Sequence, residues 1–93
     1  MENKKTLKLT KYGHEFCQPC KTIKPILTEI VKKFGDKLEF EDVDTYNTEP
    51  QRLIDSQIRA VPTLILTKDG NEVWRQVGLI SRDAIEAKIS ENL

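Results

Sequence analysis

Thr6-Leu7-Lys8-Leu9-Thr10-Lys11-Tyr12, followed shortly by Cys17-Gln18-Pro19-Cys20-Lys21, is the stretch whose reading decides the fold. Its first part alternates with period two, the pattern of a half-buried strand. Beyond the cysteines, Ile23, Ile26, Leu27, Ile30, Val31 and Phe34 recur at helical spacing. A strand therefore gives way to a helix at the cysteine pair. Pro19 suits the first turn of that helix, where no intrahelical N–H is needed, and Gly35 supplies its stop. Pro25 falls inside the pattern and is expected to kink the helix, because it removes one hydrogen bond and crowds the carbonyl four residues back.

Further along, a second strand is expected within residues 37–44, with Leu38, Phe40 and Val43 as its apolar members. Thr48-Glu49-Pro50-Gln51 reads as a helix start, with Thr48 as N-cap, Pro50 in the first turn and Gln51 reaching back. That helix is short, about residues 50–57. Residues 63–67 form a third strand, Asp69-Gly70 a hairpin turn, and residues 72–77 a fourth strand ended by Gly78. Ser81 caps a final helix, with Asp83 in its first turn and Ile85 and Ile89 on its inner stripe. The order is βαβαββα. Its opening βαβ unit requires parallel strands and its last two strands make a hairpin, so the class is α/β with a four-stranded mixed sheet and three flanking helices.

At 93 residues the chain has room for one domain, residues 1–93, with no repeat, linker or low-complexity tract. Lys+Arg and Asp+Glu are both 15, so there is no basic surplus with which to hold nucleic acid or an anionic membrane surface. The apolar runs are too short to span a bilayer. No apolar signal-type core follows Met1-Glu2-Asn3-Lys4-Lys5, and a cytoplasmic location is expected.

The two cysteines are too few for a disulfide-stapled scaffold. A bond between Cys17 and Cys20 closes a tiny loop and stabilises little, so its value lies in being made and broken. Unpaired N–H groups and the positive end of the helix dipole at Cys17 favour thiolate over thiol, and Lys21 adds a positive charge. Cys17 is the expected nucleophile, solvent-accessible at the helix start. Cys20, one turn inward, is placed to resolve a mixed disulfide. A zinc site is the competing interpretation. Besides the cysteines, however, only His14 and carboxylates are on offer, three ligands at a helix start make a poor closed site, and no metal is expected.

Phe16-Cys17-Gln18-Pro19-Cys20-Lys21 resembles the Trp-Cys-Gly-Pro-Cys-Lys of the thioredoxin family. Pro25 falls at that family's helix-kinking proline, Ile58-Arg59-Ala60-Val61-Pro62-Thr63 is similar to the segment ending in its cis-proline, and Val77-Gly78 followed by Ser81 resembles its glycine and last helix start. The resemblance implies a thioredoxin fold without the extra N-terminal strand and helix that many members carry, one sheet face covered by two helices and the other mainly by the short second helix. It implies that Val61–Pro62 is cis and faces Cys17, leaving the Val61 backbone free to pair with an extended substrate peptide, and that Phe16, Gln18, Pro19, Val61, Pro62 and Gly78 rim the substrate groove. The implied function is thiol–disulfide oxidoreductase, a reductant of protein disulfides. A flavin- and NADPH-dependent thioredoxin reductase would be its donor, and ribonucleotide reductase or similar cytoplasmic enzymes its clients. No cofactor beyond the Cys17–Cys20 disulfide is expected, and the chain is expected to be a monomer. A glutaredoxin-like, glutathione-dependent protein and a non-catalytic interaction module are the alternatives.

Three departures from the family matter. Phe16 replaces tryptophan, and Gln18 replaces glycine inside the motif, where variation alters redox poise. Lys11 stands where the family keeps a buried aspartate. Lys11 shares a strand face with Leu7 and Leu9 and is expected to snorkel to solvent from the strand end; the functional alternative is a desolvated Lys11 that substitutes as base or stabilises the thiolates. Glu15, Glu41 and Asp42 are unranked candidates for carrying the proton. An imidazolium at His14 would help hold Cys17 as thiolate, although such a loop histidine is commonly just solvated. Trp74 is expected to pack.

Overall fold

The structure, a computed structural model, describes residues 7–93. Strand β1 (Leu7–Gly13) leads into helix α1 (Gln18–Phe34), then a single 3-10 turn (Gly35–Lys37) and β2 (Glu39–Asp44). Helix α2 (Pro50–Asp55), β3 (Thr63–Lys68), β4 (Asn71–Val77) and α3 (Arg82–Glu91) follow. The sheet order is β2-β1-β3-β4, with β1 and β2 parallel and β3 antiparallel to both β1 and β4. This is the expected βαβαββα mixed sheet. Thr6, expected in the first strand, and any element ahead of β1 lie outside the described residues.

Alternation along β1 decides which face each helix covers. Leu7 and Leu9 join Leu64 and Leu66 of β3 in one core with Ile23, Leu27 and Ile30 of α1 and Ile85 and Ile89 of α3. Tyr12, on the opposite face, packs with Val43, Ile65 and Leu53 of α2. Two helices thus cover one face and α2 the other. Each fully buried aliphatic contributes roughly 1.5–3 kcal/mol relative to exposure, so the α1/α3 face carries most of the packing. Trp74 lies half-buried against that core, as expected of a packing residue.

Local signals end the elements where physical chemistry requires. Gly35 takes φ +57° and its N–H donates to the Val31 carbonyl, closing α1, with Lys32 and Lys33 in the last turn. Asp69 and Gly70 both have positive φ (+53° and +86°), as a tight two-residue hairpin demands. Ser81 caps α3 by accepting from the Ala84 N–H at 3.2 Å. Pro25 lies inside α1, which is continuous through it.

The start of α2 differs from expectation. Glu49, not Thr48, is its N-cap, and no side chain caps it. The proline explains the shift: a residue before Pro is forced toward extended backbone, here φ −63° and ψ 128°, which is the N-cap conformation. Gln51 donates to Asp55 Oδ1 at 2.9 Å instead of reaching back. The helix ends at Asp55, and Gln57 already has φ +55°.

Candidate active site

Cys17 is the N-cap of α1, in extended conformation (φ −97°, ψ 109°). Its carbonyl accepts from the Lys21 N–H at 3.2 Å, and its own N–H donates to the His14 carbonyl at 3.3 Å. The two bonds fix it between a turn and the helix. The Cys20 N–H donates to Cys17 Sγ at 3.1 Å, so the first sulfur takes the capping role that an Asp or Ser oxygen fills elsewhere. The two cysteines are joined in a disulfide with Cα atoms 5.2 Å apart.

Cys17 is not solvent-accessible to the degree its place at a helix start predicts. In the oxidised chain it is only 8% exposed, although Cys20 is more deeply buried at 2%. The difference has a geometric cause, since Cys17 Sγ is drawn over the helix end by the Cys20 N–H and by its bond to the second sulfur. Phe16, Gln18 and Pro19 around it are exposed.

At the same end of the sheet, Tyr12 of β1 pairs with Thr63 of β3, which brings Val61–Pro62 toward the strand end that leads to the cysteines. The Val61–Pro62 bond is cis, as the resemblance implied. The Pro62 carbonyl accepts from the Gly78 N–H at 2.9 Å, tying these two segments together. Val61 makes no backbone hydrogen bond to the described residues.

His14 is held by the backbone, not aimed at a sulfur. Its Nδ1 accepts from the Phe16 N–H at 3.2 Å, and its ring stacks on Tyr46 with centroids 4.3 Å apart and planes 13° from parallel. Phe16 and Tyr46 ring centroids are 6.1 Å apart, which makes an exposed aromatic group beside Cys17. Tyr46 escaped sequence reasoning. Its backbone N–H donates to Asp44 Oδ1 at 2.9 Å, so the signal available was an acidic residue two positions ahead at a strand end.

Lys11 does not snorkel. It is 6% exposed, and its Nζ lies 3.1 Å from Asp42 Oδ1 on the neighbouring parallel strand, where the register sets Lys11 directly beside Asp42. A partner in reach removes the need to find solvent. The candidate proton carriers now rank themselves. Asp42 and Glu15 line, with Lys11 and Cys20, a cavity of about 390 Å³. Glu41 points to the α2 face, where Arg52 clamps it through both oxygens at 2.8 Å and Lys8 pairs with it at 2.8 Å. The Arg52 hydrogen bonds, then that of Lys8, hold the Glu41 carboxyl down at about 2. Gly13 is the other residue that sequence reasoning missed. A Cβ there would stand 2.8 Å from Cys20 Sγ and 3.2 Å from Cys20 Cβ, closer than packing allows.

Among the described residues no three His, Cys, Asp or Glu side chains are grouped as a metal site needs, and no helix is long and apolar enough to cross a membrane. A disulfide-forming Cys-Gln-Pro-Cys pair at a helix N-terminus, on a βαβαββα sheet with a cis-proline at the same end, defines a thiol–disulfide oxidoreductase. Comparison with known proteins narrows the class. The family model described as Thioredoxin matches residues 1–91. A thioredoxin of Mycolicibacterium smegmatis is 35% identical over 86 residues, covering 91% of this chain and 77% of that one. The thioredoxin of Bacillus subtilis (strain 168) is 31% identical over 86 residues, covering 91% and 81%. Among solved structures, Fasciola hepatica thioredoxin superposes with a TM-score of 0.85 at 27% identity, over 98% of this chain and 85% of that one. The chain belongs to the thioredoxin family.

Proposed function

We propose that the chain reduces protein disulfides, with Cys17 as nucleophile and Cys20 as the resolving thiol. The Cys17 thiolate attacks one sulfur of a client disulfide, and the displaced sulfur leaves with the electron pair and takes a proton. Cys20 then loses its proton and attacks Cys17 Sγ. The mixed disulfide breaks, the second client sulfur departs, and the chain is left as the Cys17–Cys20 disulfide with two electrons delivered.

The observation that carries this reading is the Cys20 N–H donated to Cys17 Sγ at a helix N-terminus. A donor and a dipole end aimed at one sulfur favour its anion, and an anionic sulfur is the attacking species. Phe16, Gln18 and Pro19 on one side, and Val61 and Gly78 on the other, form the rim against which an extended client segment lies, with the buried Pro62 beneath it and Val61 offering its free N–H and carbonyl. Lys21, exposed one residue beyond the pair, favours the Cys17 thiolate. Recycling falls to a flavin- and NADPH-dependent thioredoxin reductase in the cytoplasm, and ribonucleotide reductase is the kind of client served.

Insulin reduction and thiol alkylation test this directly. Cys17→Ser abolishes turnover, whereas Cys20→Ser leaves one attack and traps a mixed disulfide. Iodoacetamide labels Cys17 at neutral pH faster than it labels free cysteine. Failure to reduce insulin, or trapping by Cys17→Ser in place of Cys20→Ser, refutes the assignment. Reduction of the oxidised chain by glutathione but not by thioredoxin reductase with NADPH would replace the proposed donor.

A further inference from the structure

The Lys11–Asp42 pair is the part of this site that dithiol exchange leaves without a task. Taking an ammonium out of water costs several kcal/mol, and apolar residues of similar volume are often as stabilising as an ion pair with a buried member; here the lysine is the buried member. Packing therefore does not account for a lysine that is 6% exposed. Its surroundings offer an account. The point where a Gly13 Cβ would stand is 2.8 Å from Cys20 Sγ and 3.5 Å from Lys11 Cε, so the inner sulfur and the lysine stem both flank the space that glycine leaves open. Lys11, Cys20 and Asp42 line one cavity.

The two sulfurs have unequal support. Cys17 has the helix end and the Cys20 N–H. Cys20 lies inside the first turn with its own N–H spent on Cys17, and a buried thiol without a partner ionises only at raised pH. We propose that Lys11 is a positioning residue for the second half-reaction: its ammonium, anchored by Asp42, holds the Cys20 sulfur as thiolate while it attacks Cys17. This rests on the disulfide reduction proposed above. The step balances without a co-reactant. The Cys20 proton leaves through the cavity toward Asp42, whose side chain is 39% exposed to solvent. The Cys17–Cys20 bond forms as the bond from Cys17 to the client breaks, and the client sulfur takes the electron pair. Lys11 neither gains nor loses a proton.

Other charges face the same cavity. Lys21 and Lys24 of α1 and Glu15 of the β1–α1 loop are exposed and screened by water. His14 is occupied by the Phe16 N–H and Tyr46, and Asp44 by the Tyr46 N–H and Asn47. Lys11 is the buried charge among them.

The test titrates Cys20 alone, by thiolate absorbance in the Cys17→Ser chain, with and without Lys11→Met. Removing the cation is expected to raise the Cys20 midpoint by about one pH unit, a roughly tenfold loss of thiolate below it. Release of a client from Cys17 in the otherwise intact chain slows by a similar factor, while Cys17 alkylation holds its rate. Lys11→Arg restores the midpoint. Where Lys11→Met does not fold, Lys11→Asp combined with Asp42→Lys keeps an ion pair but sets the acid beside the sulfur, and it too must raise the midpoint. An unchanged Cys20 midpoint in these variants overturns the proposal even if insulin is reduced normally. Loss of insulin reduction in the unaltered chain counts against the function itself and leaves the Cys20 titration readable.

Discussion

Gly13→Ala offers a sharp test of the geometry behind the cysteine pair. Gly13 closes β1 beside Asp44 of β2, and its backbone has no positive φ, so an added methyl is judged by space alone. That methyl meets Cys20 Sγ at 2.8 Å and Cys20 Cβ at 3.2 Å. The first distance is shorter than side chains tolerate. Cys20 sits in the first turn of α1, where its backbone is held, and in the oxidised chain its sulfur is tied to Cys17 and cannot turn aside. Reduction frees that sulfur to change rotamer. Overpacking of this kind costs about 1–3 kcal/mol, and the larger share falls on the oxidised form. At about 4–8 °C per kcal/mol for a domain of this size, the oxidised chain loses on the order of 10 °C in Tm. A cost confined to the disulfide state also makes the protein a stronger oxidant, by about 30 mV for each 1.4 kcal/mol of difference. Urea titrations of oxidised and reduced chains, with a glutathione redox titration, measure all three quantities. A reduced form destabilised as much as the oxidised one, with no change in potential, would refute the steric account.

Two further outcomes follow from the packing and the charges. Ile23→Ala, at a fully buried position between α1 and the sheet, is expected to cost about 2–5 kcal/mol in urea denaturation; a loss well below 1 kcal/mol would mean that the α1 face is not the core. Glu41, lowered to about 2 by Arg52 and then Lys8, contributes stability that is present above its unfolded pKa of about 4.3 and is lost as pH falls toward 2. Because Glu41 is a third exposed, solvent screening limits that contribution to about 1 kcal/mol. Glu41→Gln should therefore lower stability at pH 7 and flatten the decline between pH 4 and 2. An acid limb identical to that of the unaltered chain would count against the Arg52 clamp.

The features that were legible in the sequence are those whose cause is local. Cys17 at the helix start, Pro19 in the first turn, Gly35 as stop and Asp69-Gly70 as hairpin each follow from the conformational limits of a few neighbouring residues. The misplaced α2 cap is also local, and the rule that fixes it is the constraint that Pro50 puts on Glu49. What sequence reasoning could not give depends on register. Period-two alternation assigns Lys11 to the α1 face, but it says nothing of depth or of what stands alongside. Only the parallel pairing of β1 with β2 brings Asp42, 31 residues away, within 3.1 Å of its ammonium. Gly13 is silent for the same reason, because its role is an approach to Cys20 that exists only once α1 is laid against the end of β1. Tyr46 finds His14 across the same strand pair, through the loop that follows Asp44. The dithiol is written in one contiguous motif, while the groups that surround its inner sulfur are assembled from two strands and the helix between them. Chain topology alone decides whether a lysine at position 11 meets water or Asp42, so substitutions at Gly13 and Asp42 should alter the chemistry of Cys20 while leaving Cys17, capped by its own helix, nearly unchanged.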